Sequence, residues 1–189
     1  MDNDGLKDIF VANGIYQDLT DQDYVSFIAD EQTKLSIISR RGVNFKALVD
    51  SIPVEPIPSY AFQNKGGLKF ENQAEAWGLA KPSHSNGSAY GDLDNDGDLD
   101  LVTNNVNMPA FIYRNNAEKI HPDHHYLKFE LGGEGKNTYA LGTKITLKYA
   151  GQLQYLEQMP MRGFESTMDP RPNFGLGKIK TVDTVLVDW

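Results

Sequence analysis

Between Gly91 and Val102 the chain reads GDLDNDGDLDLV, with aspartates at 92, 94, 96, 98 and 100. Like charges at every second position repel, and a folded loop tolerates them when water or a cation of matching hardness surrounds the carboxylates. The register fits the cation. Asp92, Asp94 and Asp96 fall at positions 1, 3 and 5 of a calcium loop, Gly97 at position 6 gives the sharp turn, Asp98 offers its backbone carbonyl at 7, and Asp100 stands at 9. These are hard oxygen donors, the ligand class that Ca²⁺ takes. A solvated acidic turn without metal is the plainer alternative.

The elements that must position this loop differ from those of an EF-hand. Position 12, which there holds a bidentate carboxylate, is Thr103. The flanks SNGSAYG and LDLVTNN are short and rich in β-branched or turn residues, which predicts strand, loop, strand. The loop should therefore sit in a β-hairpin.

The pattern occurs twice. In MDNDGLKDIFVANG, Asp2, Asp4, Gly5 and Asp8 take positions 3, 5, 6 and 9, and position 1 would precede Met1. Ile9, Phe10 and Asn13 then match Leu101, Val102 and Asn105, and further on Phe62 and Asn64 match Tyr113 and Asn115. Once an insertion of about 41 residues in the first copy is set aside, the unit is about 51 residues, the range of propeller blades. A single blade cannot bury its faces alone. With the first loop cut in mid-motif and the last strand running to Trp189, the chain reads as a piece of a longer array.

Bulk composition narrows the function classes. The net charge of −8 comes from the two loops, because the acidic residues outside their eight aspartates equal the 18 Lys plus Arg. No basic stripe remains to neutralise phosphates, which argues against nucleic acid. No apolar run approaches a membrane span. Cysteine is absent, which excludes disulfides, zinc-thiolate sites and thiol nucleophiles. Loops of this kind suit millimolar Ca²⁺ and so favour an exterior setting.

The expected organisation is a repeat region at 1–118, interrupted by a helical insertion at about 17–60, then a linker at 119–125 and a second module at 126–189. Thr20, with Asp23 three residues on, looks like a helix start, a second short helix ends before Pro53, and PVEPIP is extended. In TKITLKYAGQLQYLEQM, Ile145, Leu147 and Tyr149 alternate with Lys144, Thr146 and Lys148, predicting a hairpin that turns at Ala150 to Gln152. Val185, Val187 and Trp189 share one face of a closing strand.

The first part resembles the FG-GAP or VCBS-type repeats of integrin-like β-propellers, through DNDGLKDIFVANG and GDLDNDGDLDLVTNN. The second resembles the UnbV/ASPIC domain, related to the cartilage acidic protein family. That likeness rests on Gly142 in ALGTKITL, Gly151, RGFES from Arg162, DPR from Asp169, FGLG from Phe174 and VDTVLVDW from Val182. The position before FGLG, histidine in many members, is Asn173 here. The resemblance implies a mostly β chain, part of a β-propeller followed by a small β-sandwich-like module. It also implies a secreted or cell-surface protein that binds or adheres without catalysis, with a surface protein or carbohydrate as ligand. An alternative is a fragment of a polysaccharide-acting propeller enzyme whose catalytic residues lie elsewhere, and another is a structural spacer.

Other candidates have simpler explanations. His121, His124 and His125 could gather a transition metal, but nothing completes a zinc set and a linker with incidental histidines is simpler. Ser83, His84 and Ser85 lack the strand-to-helix elbow of a hydrolase. Trp77, Tyr90 and Tyr113 could stack on sugars, but core packing is the simpler reading. Arg162 could pair with Asp169 or Glu165, and Arg40 and Arg41 read as a solvated helix end.

Overall fold

A computed structural model describes residues 1–18, 20–39, 45–163 and 166–189. Short antiparallel strands in several small sheets dominate it, and they form no closed barrel among the described residues. Strands β1 (Ile9–Val11), β2 (Tyr60–Asn64) and β3 (Phe70–Asn72) make one sheet, and β4 (Ser85–Gly91), β5 (Asp100–Asn105) and β6 (Phe111–Tyr113) make another. Between β1 and β2 lie helices α1 (Gln22–Ser39) and α2 (Phe45–Asp50). A one-turn helix, α3 (Ala117–Ile120), precedes β7 (His125–Lys128), which pairs with β10 (Asn173–Gly177). The last sheet has the order β11 (Thr184–Asp188), β8 (Lys144–Tyr149), β9 (Gln152–Glu157).

The first two sheets pair in matching register. Ile9, Phe10 and Val11 face Phe62, Ala61 and Tyr60, just as Leu101, Val102 and Thr103 face Tyr113, Ile112 and Phe111. Asn13 and Asn105 then donate side-chain bonds to the carbonyls of Pro58 and Pro109, at 2.8 and 2.7 Å. The matched residues noted in the sequence therefore occupy matched places. One small core joins the two sheets: Ala61, Ala74, Leu79 and Leu101, flanked by Phe10, Trp77 and Tyr113. Tyr90 stays half-exposed, outside that cluster.

The larger core lies in the C-terminal part. Ile145 and Leu147 of β8 are fully buried, with Tyr149, Phe174 and Leu176 against them, and Leu127 and Leu156 close the sides. Burial of each large apolar side chain contributes about 1.5–3 kcal/mol, which makes this cluster the anchor of the module. The expected hairpin forms, with Ala150 and Gly151 both at positive φ, as a two-residue turn between twisted strands requires. The Val185 face of β11 is less covered than its alternation predicts, since Val185 is 44% and Trp189 73% exposed.

In the insertion the helix start differs from expectation. Asp21 caps α1, accepting the Tyr24 N–H at 3.0 Å, while Thr20 is turned back onto Asp18. Asp21 stands immediately before the first helical residue, so its carboxylate meets the free N–H groups of the first turn, and Thr20 lies one residue too early. The proposed solvated end at Arg40 and Arg41 lies outside the described residues. Among the described residues no helix is long and apolar enough to cross a membrane.

Candidate metal centre

The β4–β5 hairpin closes where Gly91 pairs with Asp100, and the loop between them is shaped by its own aspartates. Asn95 and Gly97 take left-handed backbone at φ 60° and 94°. Asp92 Oδ2 accepts the Gly97 N–H at 3.1 Å, Asp96 Oδ1 accepts the Asp98 N–H at 3.0 Å, and Asp100 Oδ2 accepts the Leu93 N–H at 3.0 Å. With Asp94 held by Arg114 Nε, one carboxylate oxygen from each of Asp92, Asp94 and Asp96 lies within 4.8 Å of the others. Ca²⁺–oxygen distances of about 2.3–2.6 Å place donors at such separations.

One atom tests the fit. Asp92 is 5% exposed, and its Oδ1 is buried without a hydrogen-bond partner. A buried carboxylate oxygen left unmatched is costly, and a hard cation is what an all-carboxylate donor set takes. The residues present fit Ca²⁺, with Asp92, Asp94 and Asp96 as the group that would hold it.

The carboxylates of Asp98 and Asp100 also hold hydrogen bonds of their own. Both oxygens of Asp100 are used by backbone donors, Leu93 N–H and the Asn115 N–H at 2.7 Å. The Asp98 carboxylate turns to Asn3 Nδ2 at 2.7 Å and to the Glu118 N–H at 2.6 Å. It forms a second acidic group with Asp96 and Glu118. Burial, then the neighbouring carboxylates of Glu118 and Asp96, pushes the Asp98 carboxyl up to about 6. Burial also acts on Asp96, but the bonds from the Asp98 N–H and from Arg114 outweigh it and leave that carboxyl below its ordinary value.

The first loop repeats this wiring. Asp8 accepts from the Met1 nitrogen and from the Asn64 N–H at 2.9 Å, as Asp100 does from Leu93 and Asn115. Asp4 Oδ1 accepts the Leu6 N–H at 2.8 Å, and Asn3 and Gly5 match Asn95 and Gly97 in backbone shape. Asp2 receives Gln63 Nε2 at 2.9 Å where Asp94 receives Arg114 Nε at 2.9 Å. Asp2, Asp4 and Asp8 are brought to one loop.

Several residues of the centre were missed in the sequence. Glu118 comes from α3, Arg114 from just past β6, and Lys128 and Asn173 from the C-terminal strands. Lys128 forms an ion pair with Asp92, and Asn173 Nδ2 reaches Gly97 O at 3.2 Å. Arg114 alone was readable, since it occupies the place of Gln63 in the matched segments. The other three are distant in sequence and carry no spacing signal.

The other candidates are brought into simpler arrangements. His121 and His124 stack at 4.7 Å, and His124 Nδ1 bonds the Asp2 carbonyl at 2.6 Å. The Ser83 and Ser85 hydroxyls bond each other at 2.7 Å, and Ser85 bonds Asn105, while His84 packs edge-on against Tyr16. Asp169 is taken by Arg171, at 2.6 Å, and Arg162 reaches the Glu157 carbonyl instead. Glu165 lies outside the described residues. A cleft of about 440 Å³ runs between the first loop, β5 and the C-terminal part, lined among others by Lys7, Phe10, Tyr90, Leu156 and Met168.

The fold and site define a mostly β chain in which two acidic loops, one of them closing the β4–β5 hairpin, pack on a C-terminal β module. Within it, residues 133–189 match the family described as ASPIC and UnbV. No curated protein is significantly similar to the chain.

Proposed function

We propose that the chain is a calcium-binding, non-catalytic part of an extracellular or cell-surface protein that serves adhesion or ligand binding. In this reading the N-terminal part is built of FG-GAP or VCBS-type repeats, pieces of a β-propeller, with Ca²⁺ stabilising a hairpin loop. The observation that carries it is the buried, unpartnered Asp92 Oδ1 beside the converging carboxylates of Asp94 and Asp96. The shared register and hydrogen bonding of the two loop segments support the repeat reading, and the match of residues 133–189 to ASPIC and UnbV accords with it. The bound ion neutralises the clustered charge and fixes the loop. The cleft beside the first loop, lined by apolar side chains and by both acidic and basic ones, is the place for a ligand.

The test is thermal melting with and without chelator. At tenfold excess of Ca²⁺ over its dissociation constant the stabilisation is about 1.4 kcal/mol, which moves the melting temperature by roughly 3–6 °C for a chain of this size. Identical melts in both conditions contradict a structural metal.

A further inference from the structure

The two oxygens of Asp92 are unequally matched. Oδ2 takes the Gly97 N–H and the Lys128 ammonium, while Oδ1 is buried and unmatched. The pair is well shielded, with side-chain exposures of 16% for Lys128 and 2% for Asp92. Lys128 lies on β7 directly opposite Asn173 on β10, so one cross-strand pair of the C-terminal module reaches the loop at two points. Between them Tyr126 covers Gly97 so closely that a Cβ there would lie 1.9 Å from its ring.

The other cations near the loop are otherwise engaged. Arg171 touches the Asp92 carbonyl at 3.4 Å, but its charge is matched by Asp169. Arg114 is 52% exposed and is shared by Asp94, Asp96 and Glu118 on the solvent side. Among the described residues, Lys128 has Asp92 as its ion-pair partner.

We propose that Lys128 is a resident charge partner that shares Asp92 with the metal: ammonium on Oδ2, cation on Oδ1. This rests on the calcium reading above and assigns a second cation, from a different part of the chain, to the same site. Two consequences follow from electrostatics. Without metal, Lys128 keeps a buried carboxylate compensated, so the loop stays docked on the module. With metal, a fixed positive charge beside a divalent ion weakens its binding, so Lys128 sets the affinity low.

The experiment compares wild type, Lys128→Met and Lys128→Arg by calorimetric titration with CaCl₂ and by melting in Ca²⁺ and in chelator. Lys128→Met keeps the apolar stem and removes the charge; it should bind Ca²⁺ about tenfold more tightly or better. Its melting temperature should also fall further on chelation than that of wild type. Lys128→Arg should stay within roughly threefold of the wild-type affinity, because the charge is retained. Unchanged or weaker binding by Lys128→Met overturns the proposal. So does failure of that variant to fold in millimolar Ca²⁺, where the ion should supply the missing charge. Wild type that binds while Lys128→Met does not sinks the role of Lys128 alone; absence of binding in all three proteins sinks the calcium reading as well.

Discussion

The two aspartate loops share a scaffold and differ in what that scaffold presents. In each, the position 9 aspartate, Asp8 or Asp100, ties the start of the loop to an asparagine N–H beyond the next strand. In each, the position 5 aspartate caps the turn. The second loop adds Asp92 at position 1 and Asp98 at position 7, where the first has Leu6. The position 5 carboxyls respond in opposite ways. Burial, then Asp2 and Asp8, raises the Asp4 carboxyl, whereas Arg114 and the Asp98 N–H help hold Asp96 below its ordinary value. A run of aspartates thus divides into those that build the turn and those whose oxygens converge, which in the second loop are Asp92, Asp94 and Asp96.

The largest expected break in the likeness is at the turn glycines. Both need positive φ, but a Cβ on Gly97 would strike the Tyr126 ring, while one on Gly5 would meet the movable amide of Gln154 at 2.8 Å. Gly97→Ala should cost about 2–4 kcal/mol, from backbone strain plus overpacking. Gly5→Ala should cost about half as much, by the same reasoning. Urea midpoints of the two variants check the order, and equal losses would show that Tyr126 yields freely.

Next is the scaffold itself. Asp100→Ala strands two backbone donors and should destabilise by about 2–3 kcal/mol. The loss should be the same with chelator as with Ca²⁺, because this carboxylate serves the turn. A loss that disappears in chelator would reassign Asp100 to the metal.

A smaller effect separates the loops by pH. The folded Asp98 carboxyl is raised from an ordinary 3.8 to about 6, so its contribution to stability is full below 3.8 and is lost as pH rises through about 6. In chelator, stability should therefore fall between about pH 4 and about pH 6.5 more steeply for wild type than for Asp98→Asn. The first loop has Leu6 at that position; its raised Asp4 carboxyl acts in the same sense but is common to both proteins and drops out of their difference. Parallel profiles for the two proteins would remove the Asp98 effect.

Much of this comparison was legible in the chain. Alternation at Ile145, Leu147 and Tyr149 gave the module's inner face because the strand period is short and local, and the DNDG spacing gave both loops for the same reason. The difference among the aspartates was not legible: Asp100 and Asp92 look alike in sequence, and only their bonding partners tell them apart, backbone donors on both oxygens of Asp100 and an unmatched Oδ1 on Asp92. Lys128 and Glu118 were invisible because they reach the loop through tertiary packing. The start of α1 was misplaced by one residue, since Thr20 and Asp21 both satisfy a cap and the Asp18 carboxylate decides between them.

The central claim is that calcium belongs to the second loop. Calorimetric titration of Asp96→Ala and Asp4→Ala beside the parent protein tests it most directly. Asp96→Ala should abolish most of the measurable Ca²⁺ binding, and Asp4→Ala should change it little. Two equal, tight sites in the parent, or a larger loss from Asp4→Ala than from Asp96→Ala, would contradict the account.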